Sequence, residues 1–532
     1  MQKYIKVFIV AIIGIMLMIS MVSAIDFKVF QGDQQCPAGY TLATPQDARA
    51  NQSATCNALD QWSIARLAGG GSMDGPGYQC KIRDDDKRSL RHSLCKKFSK
   101  ESFQVTSLPG LSVDVGYRQY AGLLPVNTAT NSHLFFWLLE AKNNPETAPL
   151  VVWLNGGAGC SSMLGLFLEN GPYRVQDNLT LALDPHYWNQ NANILYLDQP
   201  AGAGFSYTDQ KPDVLTPDQI QAQIGIDFYA FLKQFLSIFP EYKARELFIS
   251  GESFAGNYIP HMATYILEQN KTNNDLKINL KGLMLLVSWV YPAYHYGSYA
   301  DYSYSLGIIG EGFKREVEKV FQICKAGLDQ GRTCDAFEND DPACACYQIR
   351  PMIHEVSGYG SYRLNNEDVR TYVEYDENTM PIDYPKGIEG IAPYLRQSGV
   401  VQAIHATATP HQWKDCRLLP DLQRIINNPT QKLLPNLLAH MPMVFINGQF
   451  DFVINPVGTE RYLYNLKWPH QQAYQKAGRF TWPYEGKPAG YAKSYGNMTF
   501  VVALGAGHWL PMDAPGPALD AFNRFITGKG FK

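Results

Sequence analysis

The sequence predicts an α/β fold built on a mostly parallel central sheet, and three observations predict it. Short apolar runs with little alternation, at Leu134–Leu139, Leu150–Leu154 and Ile194–Leu197, suit strands covered on both faces. Behind a Thr216-Pro217-Asp218 start, Ile220, Ile224, Phe228, Phe231, Leu232, Phe235 and Phe239 recur at helical spacing. The strand-like run Leu247–Ser250 follows directly, and a helix that feeds a strand is the signature of a βαβ unit. Further apolar runs at Val444–Asn447 and Phe500–Leu504 extend the sheet. Residues 292 to about 405 are rich in Tyr, Gly and charge and hold four cysteines, so they read as a cap or insertion rather than sheet.

With 532 residues, 45% hydrophobic and 18% charged, the chain is globular and has none of the signature of disorder. A net charge of −3 without long Lys/Arg runs gives no footprint for nucleic acid. Residues 1–24 read as a signal peptide: Lys3 and Lys6 precede an apolar run, and Val22-Ser23-Ala24 is a small-residue cleavage site. The alternative is an uncleaved anchor, since the run is almost long enough to span a membrane. No later segment is, so the mature chain is expected to be free of the membrane. Ten cysteines and four N-x-S/T sites, at Asn51, Asn178, Asn270 and Asn497, fit an exported, disulfide-bonded glycoprotein. No zinc spacing occurs among the cysteines, and Cys344 and Cys346 read as members of separate disulfides. Residues 25–100, with four cysteines and few apolar residues, read as a small stapled module. Its role stays open between propeptide, binding appendage and structural cap. Residues 101–532 are then one large domain carrying the insertion.

Four motifs stand at strand ends. Gly251-Glu252-Ser253-Phe254-Ala255-Gly256 follows the strand at 247–250 and precedes a helical pattern, the context of a nucleophile elbow. Asn155-Gly156-Gly157-Ala158-Gly159-Cys160 ends another strand, and its glycines allow the close backbone approach that an oxyanion hole needs. Asp451 and His508 each follow a later strand. Alone, each motif reads as a turn or a cap. Together, in the order Ser, Asp, His, they follow the chain order of an α/β-hydrolase fold.

These segments resemble the serine carboxypeptidase family: NGGAGCSS at 155–162, LDQPAGAGFSYT at 197–208, GESFAG at 251–256, GQFDF at 448–452 and GAGHWLPMDAP at 505–515. The likeness runs from about 101 to 528. It implies a cofactor-free, metal-free peptidase that releases C-terminal residues from peptides or proteins through an acyl-enzyme, at acidic pH. Its roles fall on Ser253 as nucleophile, His508 as base and then acid, and Asp451 as the group that orients the imidazole. The Gly157 and Phe254 N–H groups form the oxyanion hole. Asn155, Gly156, Glu169 and Glu252 hold the substrate's terminal carboxylate, two close carboxyls sharing a proton to do so. Leu164, Leu168 and Trp509 line the site for the departing residue and imply an apolar bias there. Cys160–Cys416 is the disulfide that the likeness implies.

The chain departs from the family at Ala158, where proline is usual, at Gln449, at Leu286-Val287-Ser288, where Gly-Asn-Gly is usual, at Trp509 and at Ile454. None removes a triad member. Two other functions compete: acyl transfer on the same scaffold, and an exported binding or protective protein without activity. The second expects a lost triad or oxyanion residue, and all are present. Oligomeric state and final compartment, secreted or vacuolar/lysosomal, are not legible.

Overall fold

The computed structural model describes residues 27–31, 40–42 and 92–97, and 99–532 except 213, 273–275, 333–344 and 375–384. The chain divides into two units, Met1–Ser102 and Phe103–Lys532. In the first, Phe27–Gln31 and Tyr40–Leu42 both pair antiparallel with His92–Lys97, giving a three-stranded sheet. The signal-peptide reading, Asn51, and Cys36, Cys56 and Cys80 of the stapled-module reading lie outside the described residues.

The second unit is organised by ten strands: β1 (Gln119–Asn127), β2 (Ser132–Leu139), β3 (Leu150–Leu154), β4 (Asn193–Leu197), β5 (Leu247–Glu252), β6 (Leu280–Leu286), β7 (Met443–Gly448), β8 (Phe480–Tyr484), β9 (Lys487–Tyr495) and β10 (Met498–Ala503). They form one sheet in the order β8-β9-β10-β7-β6-β5-β3-β4-β2-β1. The run from β4 to β10 is parallel throughout. The three apolar runs of the sequence are buried strands as expected, but β2 runs antiparallel to both neighbours. The reason is local: only residues 128–131 separate it from β1, and so short a link permits only a hairpin.

Helix α1 (Pro217–Ile238) starts at a full capping box. Thr216 Oγ1 accepts from the Gln219 N–H, Gln219 Oε1 accepts from the Thr216 N–H, and Pro217 fills the first turn. Its apolar stripe is buried, and it feeds β5 as the periodicity requires. Phe136 of β2 is fully buried, with ring centroids of Phe103, Phe231, Phe235 and Phe239 at 5.6, 5.8, 5.7 and 6.1 Å. Phe136→Ala is expected to destabilise this unit by about 3–5 kcal/mol. A denaturation midpoint equal to that of the parent would refute the packing.

Between β6 and β7 the chain leaves the sheet. The described part of 292–405 is helical, apart from the hairpin Tyr362–Leu364/Tyr372–Glu374, and adds no strand to the ten. Its long helices, α3 (Glu311–Asp329) and α4 (Ala345–Ser357), are joined by Cys324–Cys346, while Cys344 lies outside the described residues.

Candidate active site

Register brings the carboxyl ends of the parallel strands to one edge, with Gly251 beside Leu154, Glu252 beside Leu286, Leu286 beside Ile446, and Gly448 beside Ala503. Sites of α/β sheets gather at this edge, and all four motif segments leave from it. Strand β5 turns straight into helix α2 (Ala255–Thr272) at Ser253, whose φ of +56° is left-handed. Small neighbours make that turn possible. A Cβ on Gly251 would stand 2.5 Å from Leu154 O, and one on Gly256 would stand 2.7 Å from Ser288 Cβ. The Ser253 backbone is pinned by Leu286 O, which accepts its N–H at 3.0 Å, and by the Trp289 N–H, which donates to its carbonyl at 2.9 Å. Beside it, Val287 sits at φ +38°, a strained conformation for a β-branched residue.

The glycine loop lies against this turn, since a Cβ on Gly156 would meet Phe254 N at 2.3 Å. The N–H groups of Gly156, Gly157 and Phe254 donate to no protein acceptor among the described residues. Behind them the loop is braced by Asp198. Its Oδ1 accepts from Ser161 Oγ and the Ser162 N–H at 2.6 and 2.9 Å, and its Oδ2 from the Phe205 N–H at 2.8 Å. Burial pushes the Asp198 carboxyl up to about 7, although those three donors pull it down. Cys160 is bonded to Cys416, and Ser161 N–H donates to Asp415 O, so the segment 413–417 holds the far side of the loop.

Asn155 organises the buried acids. Its Oδ1 accepts from the Trp153 indole (2.8 Å) and the Gly165 N–H (3.0 Å), which leaves its Nδ2 to donate to Glu169 Oε1 at 2.9 Å and to Glu252 Oε1 at 2.8 Å. Glu169 and Glu252 are 2% and 3% exposed, and the remaining oxygen of each is buried without a protein partner among the described residues. Burial raises both. Glu252 is driven well above the usual range, additionally by the Glu169 charge, whereas the Asn155 hydrogen bond and the nearby His508 ease Glu169 down. Burial and mutual repulsion thus favour a pair that holds one proton between its members.

His508 Nδ1 lies 2.9 Å from Asp451 Oδ2, and Asp451 Oδ1 accepts the Ile454 N–H at 3.0 Å. Asp451 is fully buried and His508 is 5% exposed. Burial alone lowers the imidazole, but the charge and hydrogen bond of Asp451, with Glu367 and Glu169 behind them, bring it up to about 9. Ser253 stands at the same sheet edge, half-exposed, with no hydrogen bond to His508 in this structure. Such contacts often tighten only around substrate. Leu164, Leu168 and Trp509 are 2%, 3% and 8% exposed, and Leu168 directly precedes Glu169.

Sequence reasoning missed Glu367. Its Oε2 accepts from the Trp509 indole at 2.5 Å, and its carbonyl accepts from the His508 N–H at 2.8 Å. It comes from the insertion, where an acid in a polar stretch gives no signal.

The model of the family described as "Serine carboxypeptidase" matches residues 109–528. Serine carboxypeptidase S10 family member 2 of Dictyostelium discoideum is 36% identical over 464 residues, covering 84% of this chain and 80% of that protein. Pheromone-processing carboxypeptidase KEX1 of Phytophthora infestans is 36% identical over 443 residues, covering 80% and 71%. Among solved structures, the prohormone-processing carboxypeptidase Kex1(Δ)p of Saccharomyces cerevisiae superposes with a TM-score of 0.71 at 27% identity, over 81% of this chain and 97% of that one.

Proposed function

The chain belongs to the serine carboxypeptidase family, and we propose that its reaction is run by Ser253, His508 and Asp451 on peptides that end in a free carboxylate. It is a serine-type carboxypeptidase acting on peptides or proteins. In the proposed course, Ser253 Oγ attacks the carbonyl of the last peptide bond while His508 Nε2 takes its proton, Nδ1 being held by Asp451. The developing oxyanion is received by the Gly157 and Phe254 N–H groups, which have no protein acceptor among the described residues. His508 then passes the proton to the departing amine, the C–N bond breaks, and an acyl-enzyme remains. Water repeats the cycle on that ester and regenerates Ser253.

The observation that carries the choice of an exopeptidase is the buried Asn155–Glu169–Glu252 cluster, whose Glu252 directly precedes Ser253, with a spare oxygen on each acid among the described residues. One proton on the pair makes it a donor for the substrate carboxylate, and the Gly156 N–H adds another. Leu164, Leu168 and Trp509 supply apolar surface for the departing residue. The relatives' names suggest peptides processed from precursors as the substrate class. The test compares one peptide as its free acid and as its C-terminal amide: the acid is expected to be cleaved at least tenfold faster by kcat/KM, and equal rates would reassign the protein as an endopeptidase or general esterase.

Export is supported by the leader-like first 24 residues and by the two disulfides among the described residues. Among the described residues no helix is long and apolar enough to cross a membrane. Of the three described glycosylation sites, Asn178 is the favoured one. It is exposed, and Thr180 Oγ1 donates to its Oδ1 at 2.7 Å, whereas the amide nitrogens of Asn270 and Asn497 each donate to a backbone carbonyl at 2.8 Å.

A further inference from the structure

The insertion does more than roof the sheet, because residues 365–371 tie two catalytic loops to each other. On the acid side, Val453 N–H donates to Asn366 O and Val369 N–H to Phe450 O, each at 3.0 Å. On the histidine side, His508 N–H donates to Glu367 O at 2.8 Å and Arg370 Nη1 to Gly505 O at 2.8 Å. A Cβ on Gly507 would stand 2.5 Å from Glu367 O, so the contact is close-packed. The loop itself is set by Asn365 Oδ1, which accepts the Glu367 N–H, and by His354, hydrogen-bonded to Asn366.

These backbone contacts would serve whatever side chain stood at 367, yet the side chain there is an acid turned to the site and held by the Trp509 indole. We propose that Glu367 is a positioning residue of this site, acting on His508 through the Trp509 indole and through its own negative charge. The inference rests on the triad reading above. When His508 accepts the Ser253 proton it becomes a cation, and Glu367 is a second counter-charge beside Asp451. The groups facing Glu367 are His508, Asp451, Glu169 and Glu252, and beyond His508 stand Asp513, Asp368 and Arg370. Burial pushes the Glu367 carboxyl up to about 7, while His508 and the indole draw it down. An ionised Glu367 holds the proton on His508. Removing that charge must therefore release the neutral imidazole at lower pH.

The test is Glu367→Gln, which keeps size and an acceptor for Trp509 but removes the charge. Rates from pH 4 to 9 are measured on a free-acid peptide and on a blocked ester lacking the carboxylate, beside the parent and Ser253→Ala, with folding checked by thermal melting. The acidic limb of kcat/KM is expected to move down by about half a pH unit or more for both substrates, with plateau kcat several-fold lower and KM little changed. An unmoved limb with an unchanged plateau overturns the proposal. So does an effect confined to KM for one kind of C-terminal residue, which would make Glu367 a substrate contact. If the parent cleaves no peptide at any pH, the triad reading fails first. Should Glu367→Gln not fold, Trp509→Phe reads the same quantity: loss of the indole donor leaves Glu367 less ionised, so the limb must again move down.

Discussion

Ser253→Ala and His508→Ala are each expected to lower kcat on a free-acid peptide by about 10⁶-fold. Ser253 supplies the side-chain hydroxyl on the strained turn between β5 and α2, and among the described residues His508 is the imidazole paired to a buried carboxylate at the same sheet edge. Either loss disables the same proton transfer, so the double variant should be no worse than the singles. A residual rate of about 10³–10⁴ over water is expected to survive, because the Gly157 and Phe254 donors and the acid cluster remain. The measurement is single-turnover and steady-state kinetics on variants whose melting matches the parent. Turnover near the parent's in either folded variant would remove the triad assignment, whatever the family.

What the sequence made legible were features that one segment encodes by itself. Buried parallel strands show as unbroken apolar runs, and the glycines of 155–159 and 251–256 show because close backbone approach admits nothing larger. The edges of the sheet were less legible: β1 contains Gly122 and Pro125, and the hairpin of β8 and β9 is half-exposed, so neither reads as a buried run. Asp198 was visible inside a matching segment, but its task of bracing Ser161 and Ser162 exists only once β4 and the glycine loop are neighbours. Glu367 is the extreme case. Its chain neighbours are polar, and its partners Trp509 and His508 are 142 and 141 residues away, so only the fold brings an acid there.

Three buried or nearly buried acids around one imidazole make the pH response the sharpest remaining test, and its second limb belongs to the clamp. While Glu169 and Glu252 share one proton, the pair carries a single negative charge and can donate to the substrate carboxylate. Both are raised, so the proton leaves only above the ordinary carboxylate range of about 4.3. Once it has left, two charges face a third, and KM for free-acid peptides is expected to climb by up to about tenfold per pH unit. Blocked esters and amides bring no carboxylate, and their KM should stay nearly flat. The limb of His508 runs the other way, because the base must be neutral. Glu367, which burial pushes up to about 7, is still ionised where His508, brought up to about 9, gives up its proton, so its charge helps to set that limb. Peptide cleavage should thus peak between the two limbs, at a pH lower than the optimum for esters. Glu252→Gln fixes the pair at one charge with a permanent amide donor, and Glu169→Gln does the same from the other side. Either should flatten KM against pH for peptides while leaving the ester profile in place. A peptide KM that is already flat from pH 5 to 8 in the parent would show that these acids do not bind the terminal carboxylate, even with the triad intact.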